Sequence, residues 1–402
     1  MTNAPDLPLQ VRSGGPLNTM ACQPIAPYAP QVLSFLAALS GELLSKPESR
    51  QYPDIAAFAF WCRNANLNRL ARDFDNRHRR IGRGVVLHIA PGNIPVNFAF
   101  SLAFGMLAGN SNIVRIAEAP HPQTDILCSA INRLFDDPIH AKIAAMNRVV
   151  QYPRDDAITA KLSASASARL LWGGDQTISH LRAMPTSPRC IDIAFADRYS
   201  LALIDSKAVL CESDEGLLRL AQAFFNDVYL QDQGACSSPH LLFWLGPDGL
   251  AKDAQIRFWD VLFNLLKIKY EISPIHAMDK FVHLCRTATD LREASTSIRH
   301  ENLAYRVRLD CLPSDIQKHR GKAGFFFEYS SEDINCLKSI VDARYQTITT
   351  FGIDRDWLAE RILDLGLSGI DRIVPVGQAL DIGVIWDGYD LITSLSRIVH
   401  VP

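Results

Sequence analysis

The chain has 402 residues, 48% of them hydrophobic and 21% charged, with 41 basic against 43 acidic side chains and a net charge of −2. That make-up belongs to a soluble globular protein too long for one ordinary domain, and without a basic stripe to release counterions it excludes nucleic acid as a partner. The nine cysteines are scattered, odd in number and never in a Cys-x-x-Cys pair, which argues against a disulfide framework or zinc knuckle and for a reducing compartment.

Residues 1–30 are rich in Pro, Asn and Gln and lack the basic start and apolar stretch of a secretion signal, so they read as a leader of a cytoplasmic protein. From Val32 to Leu70 apolar residues recur every three or four positions, predicting a helical layer in which Asn64, Asn66 and Asn68 mark a polar face or a helix end. The period then changes. Residues 84–90 predict a buried strand, Pro91-Gly92-Asn93 a turn, and 96–108 a helix closed by Gly109-Asn110. The apolar run at 94–109 is broken by Pro95, Asn97 and Ser101 and is too short to cross a bilayer, so a buried helix and no membrane span are expected.

Strands at 111–116, 148–152 and 169–172 alternate with helices at 123–135, 155–165 and 175–182, the signature of a parallel sheet with crossover helices. A strand at 201–204 leads out of this first lobe. The pattern then restarts with a helix at 215–229, a polar turn, a strand at 241–245 and a long helix at 250–266. Residues 279–322 mix polar and charged positions with short strands, 331–343 predicts a helix, and 346–351 a strand. No internal repeat is present. His276 and His283 could share a helix face, but no second ligand pair converges on them, so no metal is expected.

The polar turn, Gln231-Asp232-Gln233-Gly234-Ala235-Cys236-Ser237-Ser238-Pro239, makes Cys236 the candidate nucleophile. Small residues before it let a carbonyl carbon approach the thiol, and its own N–H can hold the resulting oxyanion. A free cysteine is equally at home as a small buried hydrophobe. Asn93, just past a buried strand, is a candidate oxyanion donor beside such a nucleophile, although asparagine is common in turns for local reasons. Gly82-x-Gly84 lacks the third glycine of the dinucleotide fingerprint. Gly173-Gly174 follows a strand and opens a helix, where backbone N–H groups and the helix dipole can face a pyrophosphate; read alone, it is equally a tight turn. Arg115 and Glu118 close the second strand, at the edge where open α/β sheets bind ligands. They suit a phosphate and a ribose, or simply each other.

Taken together, the segments at 84–95 and 109–118 and the Gln-Gly-Ala-Cys turn resemble the aldehyde dehydrogenase superfamily. The first looks like its Pro-x-Asn oxyanion segment, the second like its adenosine-ribose segment with Arg115 in the lysine position, and Gly173-Gly174 like its phosphate-side turn. Closer still is the acyl-CoA reductase family that includes the LuxC fatty acid reductases of bacterial luminescence, over roughly residues 80–400. Arg344-Tyr345-Gln346-Thr347, 371–377 and 387–391 carry that likeness along with the cysteine turn. Where hydrolytic aldehyde dehydrogenases place a glutamate base, the matching run 193–198 holds none, which suits a thioester that must survive until it is reduced.

The resemblance implies an aldehyde dehydrogenase-like α/β fold of two lobes with parallel sheets and an N-terminal helical layer. The expected division is a leader and helices (1–80), a dinucleotide-binding lobe (81–204), a catalytic lobe with the cysteine (205–380) and a C-terminal segment (381–402). It implies NADPH-dependent reduction of an acyl-CoA or acyl-protein donor to the aldehyde through a thioester on Cys236. Asn93 would hold the oxyanion and Arg115, Glu118, Gly173 and Gly174 the cofactor. Arg115 would select the 2′-phosphate, which Glu118 would repel. An acyl-activating synthetase partner and a homo-oligomer fit the same family. Two alternatives stand beside it: an acyltransferase without hydride transfer, which would share Cys236 and Asn93, and an inactive subunit of an acyl-activating complex, in which Cys236 would take no acyl group.

Overall fold

Short, almost wholly apolar runs separated by turns build two parallel sheets, because strands covered on both faces need no polar alternation. The computed structural model describes residues 8–75 and 77–401. Two units form, one of Met1–Ala196 with Tyr389–Pro402 and one of Asp197–Gly388.

In the first unit the sheet order is Gln10–Ser13, Asn147–Gln151, Ser111–Ile116, Val85–Ile89, Ala168–Trp172, Ile191–Phe195. All pairs are parallel except the first, where Gln10–Ser13 runs antiparallel along the edge. The chain winds outward from Val85–Ile89 in one direction and then in the other, so the sheet reverses between Val85–Ile89 and Ala168–Trp172. Part of the expected leader is therefore an edge strand that pairs with Asn147–Gln151; residues 1–7 lie outside the described residues. Helix Asn97–Leu107 is buried at every position, Asn97 and Ser101 included. Beneath it a chain of polar groups is fully paired: Trp172 Nε1 donates to Ser101 Oγ, which meets His88 Nδ1 at 2.8 Å, and His88 Nε2 meets Asn112 Oδ1 at 3.0 Å. Burial pushes the His88 pKa down to about 4, so the ring is neutral. Near the C-terminus, Ser396–Ile398 returns to pair with Arg80–Gly82 of this unit.

The second unit carries a seven-stranded sheet in the order Ala294–His300, Ala304–Leu309, Phe325–Ser331, Pro239–Leu245, Tyr199–Asp205, Tyr345–Phe351, Arg372–Pro375. Only Ala294–His300 is antiparallel. The strand expected to end the first lobe, Tyr199–Asp205, is central here. Phe224, Phe258, Trp259 and Leu262 cover one face from helices Asp214–Val228 and Asp248–Lys269; Leu337 and Leu358 help to cover the other. Each such side chain contributes about 1.5–3 kcal/mol of burial. The short strands expected within 279–322 are Ala294–His300 and Ala304–Leu309, preceded by a helix, Pro274–Asp290, that the sequence did not suggest, and the helix expected at 331–343 is reduced to a 3-10 turn, Ile334–Ser339.

Candidate active site

The sequence-derived candidates fall at two sheet edges. In the first unit, Asn93 lies in the bend after Val85–Ile89 and is exposed, as are Gly92 and Glu118. Arg115 is the penultimate residue of strand Ser111–Ile116, half-buried; its Nη2 donates to Tyr152 O at 3.2 Å and its guanidinium lies 5.4 Å from the Tyr152 ring centre. Burial lowers the Arg115 pKa, while the charges of Tyr152 and Glu118 oppose that shift. Gly174 caps helix Asp175–Arg182, which has no side-chain N-cap bond, and nothing stands within 4 Å of the side where its Cβ would be. Gly173 is less available than expected, because its N–H donates to Phe195 O at 3.2 Å. Asn93, Arg115 and Gly174 all stand at the carboxyl edge, and Asn93 and Gly174 follow the two strands between which the sheet reverses. That is where doubly wound sheets take their ligands.

Cys236 is built differently. It precedes Pro239–Leu245 and so stands at the amino edge of the second sheet. The turn leading to it holds Asp232 and Gln233 in left-handed conformation, φ 47° and 58°, at a cost of about 1–2 kcal/mol for each non-glycine residue. Gln233 offsets that cost with four bonds. Its Nε2 donates to Pro239 O and Phe325 O at 2.9 and 3.0 Å, and its Oε1 accepts from Gly324 N and Phe325 N at 3.1 and 3.0 Å. Gly234 is required, since a Cβ there would meet Gln231 O at 2.9 Å. Beyond the sulfur, Ser238 Oγ donates to Asp227 O at 2.7 Å, and Ser200 Oγ donates to Cys236 O at 2.7 Å while accepting from Thr347 N at 3.2 Å.

Cys236 keeps part of its surface accessible. Packing around the sulfur and the negative charge of Asp387 push the thiol up to about 12, against smaller opposing effects of the Gln346 side-chain amide, its own N–H and Arg198. The resting group is a thiol, not the thiolate that nucleophilic attack needs. Asp387 is buried and raised to about 6, chiefly by burial. It accepts from Gln346 Nε2 and lies 3.6 Å from Arg198 Nε; Arg198 Nη1 is 3.3 Å from Asp371 and donates to Ala343 O and Tyr345 O. Asp387 has φ 48°, and a Cβ on the following Gly388 would meet Asp371 Oδ1 at 2.9 Å, so the Asp-Gly pair is fixed by that neighbour.

Arg198, Gln346, Asp371 and Asp387 had no assigned role from the sequence. Three of them lie in segments that carried the family likeness, and their buried polar character beside apolar strands was the available signal. The run at 193–198 indeed lacks a glutamate, but a carboxylate nevertheless stands near the sulfur. It is Asp387, engaged by Gln346 and Arg198.

The Acyl-CoA reductase (LuxC) family matches residues 63–399. The chain belongs to this family. It is 26% identical over 168 residues to a long-chain acyl-protein thioester reductase of Aliivibrio fischeri, covering 41% of this chain and 32% of that protein. With one of the same description from Vibrio harveyi it shares 28% over 172 residues, 42% of this chain and 33% of that one. The matched stretch thus spans about a third of these relatives. Among solved structures, an NAD-dependent benzaldehyde dehydrogenase from Corynebacterium glutamicum superposes with a TM-score of 0.60 at 12% identity, covering 92% of this chain and 84% of that one. Aldehyde dehydrogenase 21 from Physcomitrella patens gives 0.60 at 14%, covering 89% and 79%. The fold is that of the aldehyde dehydrogenases, and in this LuxC-family chain Cys236 lies on the second of two α/β units. No helix among the described residues is long and apolar enough to cross a membrane. None of their His, Cys, Asp and Glu side chains form a group able to hold a metal.

Proposed function

We propose that this chain reduces an activated long-chain acyl group, carried on CoA or on a protein thiol, to the aldehyde through a thioester on Cys236. The observation that carries the reading is the braced, partly accessible cysteine turn of a LuxC-family chain, held by the four bonds of Gln233 and by Ser200. Cys236 loses its proton to solvent as the sulfur bonds to the acyl carbon. The tetrahedral oxyanion is held by the Cys236 N–H, and its collapse expels the donor thiolate, which takes up a proton. Gln233 and Ser200 keep the sulfur in place during both steps. Asp387 is held by Gln346 at one oxygen and lies 3.6 Å from Arg198 at the other, which weakens it as a base for water and favours survival of the thioester.

The carboxyl edge of the first unit fits a dinucleotide: an uncapped helix start at Gly174 with open space above it, and the Arg115 guanidinium one strand away. Gly174, Arg115 and Glu118 would hold it, with Gly173 contributing shape rather than a donor. NADPH held by these residues would supply the hydride that reduces the thioester to a thiohemiacetal. Breakdown of that species releases aldehyde and restores the Cys236 thiol. We place the enzyme in the cytoplasm, beside an acyl-activating synthetase and as a homo-oligomer, by family likeness.

Mixing the purified protein with NADPH and a series of acyl-CoAs tests the reading. Aldehyde should form with the wild type and not with Cys236→Ala. Acyl transfer to an added thiol with no NADPH consumption would instead favour the acyltransferase.

A further inference from the structure

A helix at a protein surface normally turns its apolar side inward and its polar side to water. Helix Pro274–Asp290 does the reverse. Lys280 and Thr287, on one side of it, are each 2% exposed. From that side Lys280 Nζ donates to Asn302 O and to Ala323 O, both at 2.6 Å, and His283 Nε2 donates to His319 O at 2.7 Å. On the opposite side Ile275, Met278, Phe281 and Val282 are 61, 62, 47 and 41% exposed, and Cys285 is exposed beside them. Their spacings of three, four and seven residues put them on one face. An apolar face kept outward on a helix that is held by polar anchors marks contact with another molecule.

The charges on this face say which molecule. Asp279 and Arg286 are both exposed and stand seven residues apart, hence on one flank of it. When a helix packs antiparallel against its own copy, each flank meets the same flank of the copy, and residues equidistant from the two-fold axis face each other. With the axis between Val282 and His283, Asp279 of each copy stands opposite Arg286 of the other. One sequence thus supplies both halves of two ion pairs, with Val282 beside the axis. We propose that two copies of this chain associate through helix Pro274–Asp290, packed antiparallel about that axis, with Asp279 and Arg286 paired across it. The proposal rests on the reading of the chain as a homo-oligomer and names the surface and the symmetry. The same helix bears on the cysteine turn from behind: Ala323, whose carbonyl accepts from Lys280, donates its N–H to Asp232 O at 2.9 Å.

Sedimentation velocity of the full-length protein from about 0.1 to about 100 µM tests this. The wild type should pass from one copy to two within that range, since a single helix pair is a small interface. Val282→Asp should weaken the association more than about tenfold by setting two carboxylates beside the axis. Arg286→Asp should weaken it about tenfold, because two attractive pairs become two repulsive ones, and Asp279→Arg should do the same. The double variant Asp279→Arg, Arg286→Asp should restore it to within about twofold of wild type, the recovery a self-complementary pairing requires. All three side chains are exposed, so the circular dichroism of every variant should match the wild type. A double variant as weak as the single ones overturns the antiparallel pairing. Variants that all associate like the wild type move the interface off this helix and leave the homo-oligomer reading standing. A wild type that stays single at about 100 µM removes both and leaves the face to an unlike partner.

Discussion

The two sheet edges that matter here are built on opposite principles. At the carboxyl edge of the first unit Gly92, Asn93, Glu118 and Gly174 are exposed on loops. At the amino edge of the second unit Gln233, Gln346 and Asp387 are buried, and the backbone on either side of Cys236 is tied by side chains. A cofactor must enter and leave every turnover, which suits open loops, whereas a covalent nucleophile gains from being held in one geometry.

The largest effect that can break this contrast is Cys236→Ala. Aldehyde formation should fall below detection while NADPH binding, followed by nicotinamide fluorescence, is unchanged; loss of both would merge the two edges into one function. Next, Gln233→Ala removes four bonds and leaves the Gly324 and Phe325 N–H groups unpaired in a buried turn. Urea unfolding should show a loss of about 3 kcal/mol.

A smaller change is expected on the open side. Arg115→Ala should raise KM for NADPH about tenfold, the loss of one charge-assisted contact, with little change for NADH and none in the Cys236 alkylation rate. Equal effects on both cofactors would remove the 2′-phosphate role. The smallest concerns pH. Asp387 has a folded-state pKa raised to about 6, so the stability linked to its proton is present below about pH 4 and lost as pH rises to about 6. The neutral His88 and His240, pushed down to about 4 and about 3, oppose this slope in the wild type. The difference between proteins isolates it: Asp387→Asn should gain in urea midpoint relative to wild type between pH 4 and 6 and hold that gain above.

Much of the fold was legible because it is local. The first sheet could be read from apolar runs of strand length and the Gly and Pro that end them, and Cys236 from the small polar residues around it. Helix Pro274–Asp290 was not, because it buries only Lys280 and Thr287 while Ile275, Met278, Phe281 and Val282 stay exposed, so no inward apolar stripe marks it. The expected helix at 331–343 yields to tertiary context: strand Phe325–Ser331 continues into it, and Asp333 caps only a short turn. Gln346 and Asp387 were hidden for another reason. They meet across 41 residues through the sheet and a left-handed turn, and no periodicity in one sequence records such a meeting.

In the proposed reaction Cys236 carries the acyl group between donor and hydride. Protein exposed to a radiolabelled long-chain acyl-CoA and freed of excess donor should hold the label on the Cys236 peptide, and a single addition of NADPH should release it as aldehyde. Label absent from that peptide, or retained on it after NADPH, would contradict the account.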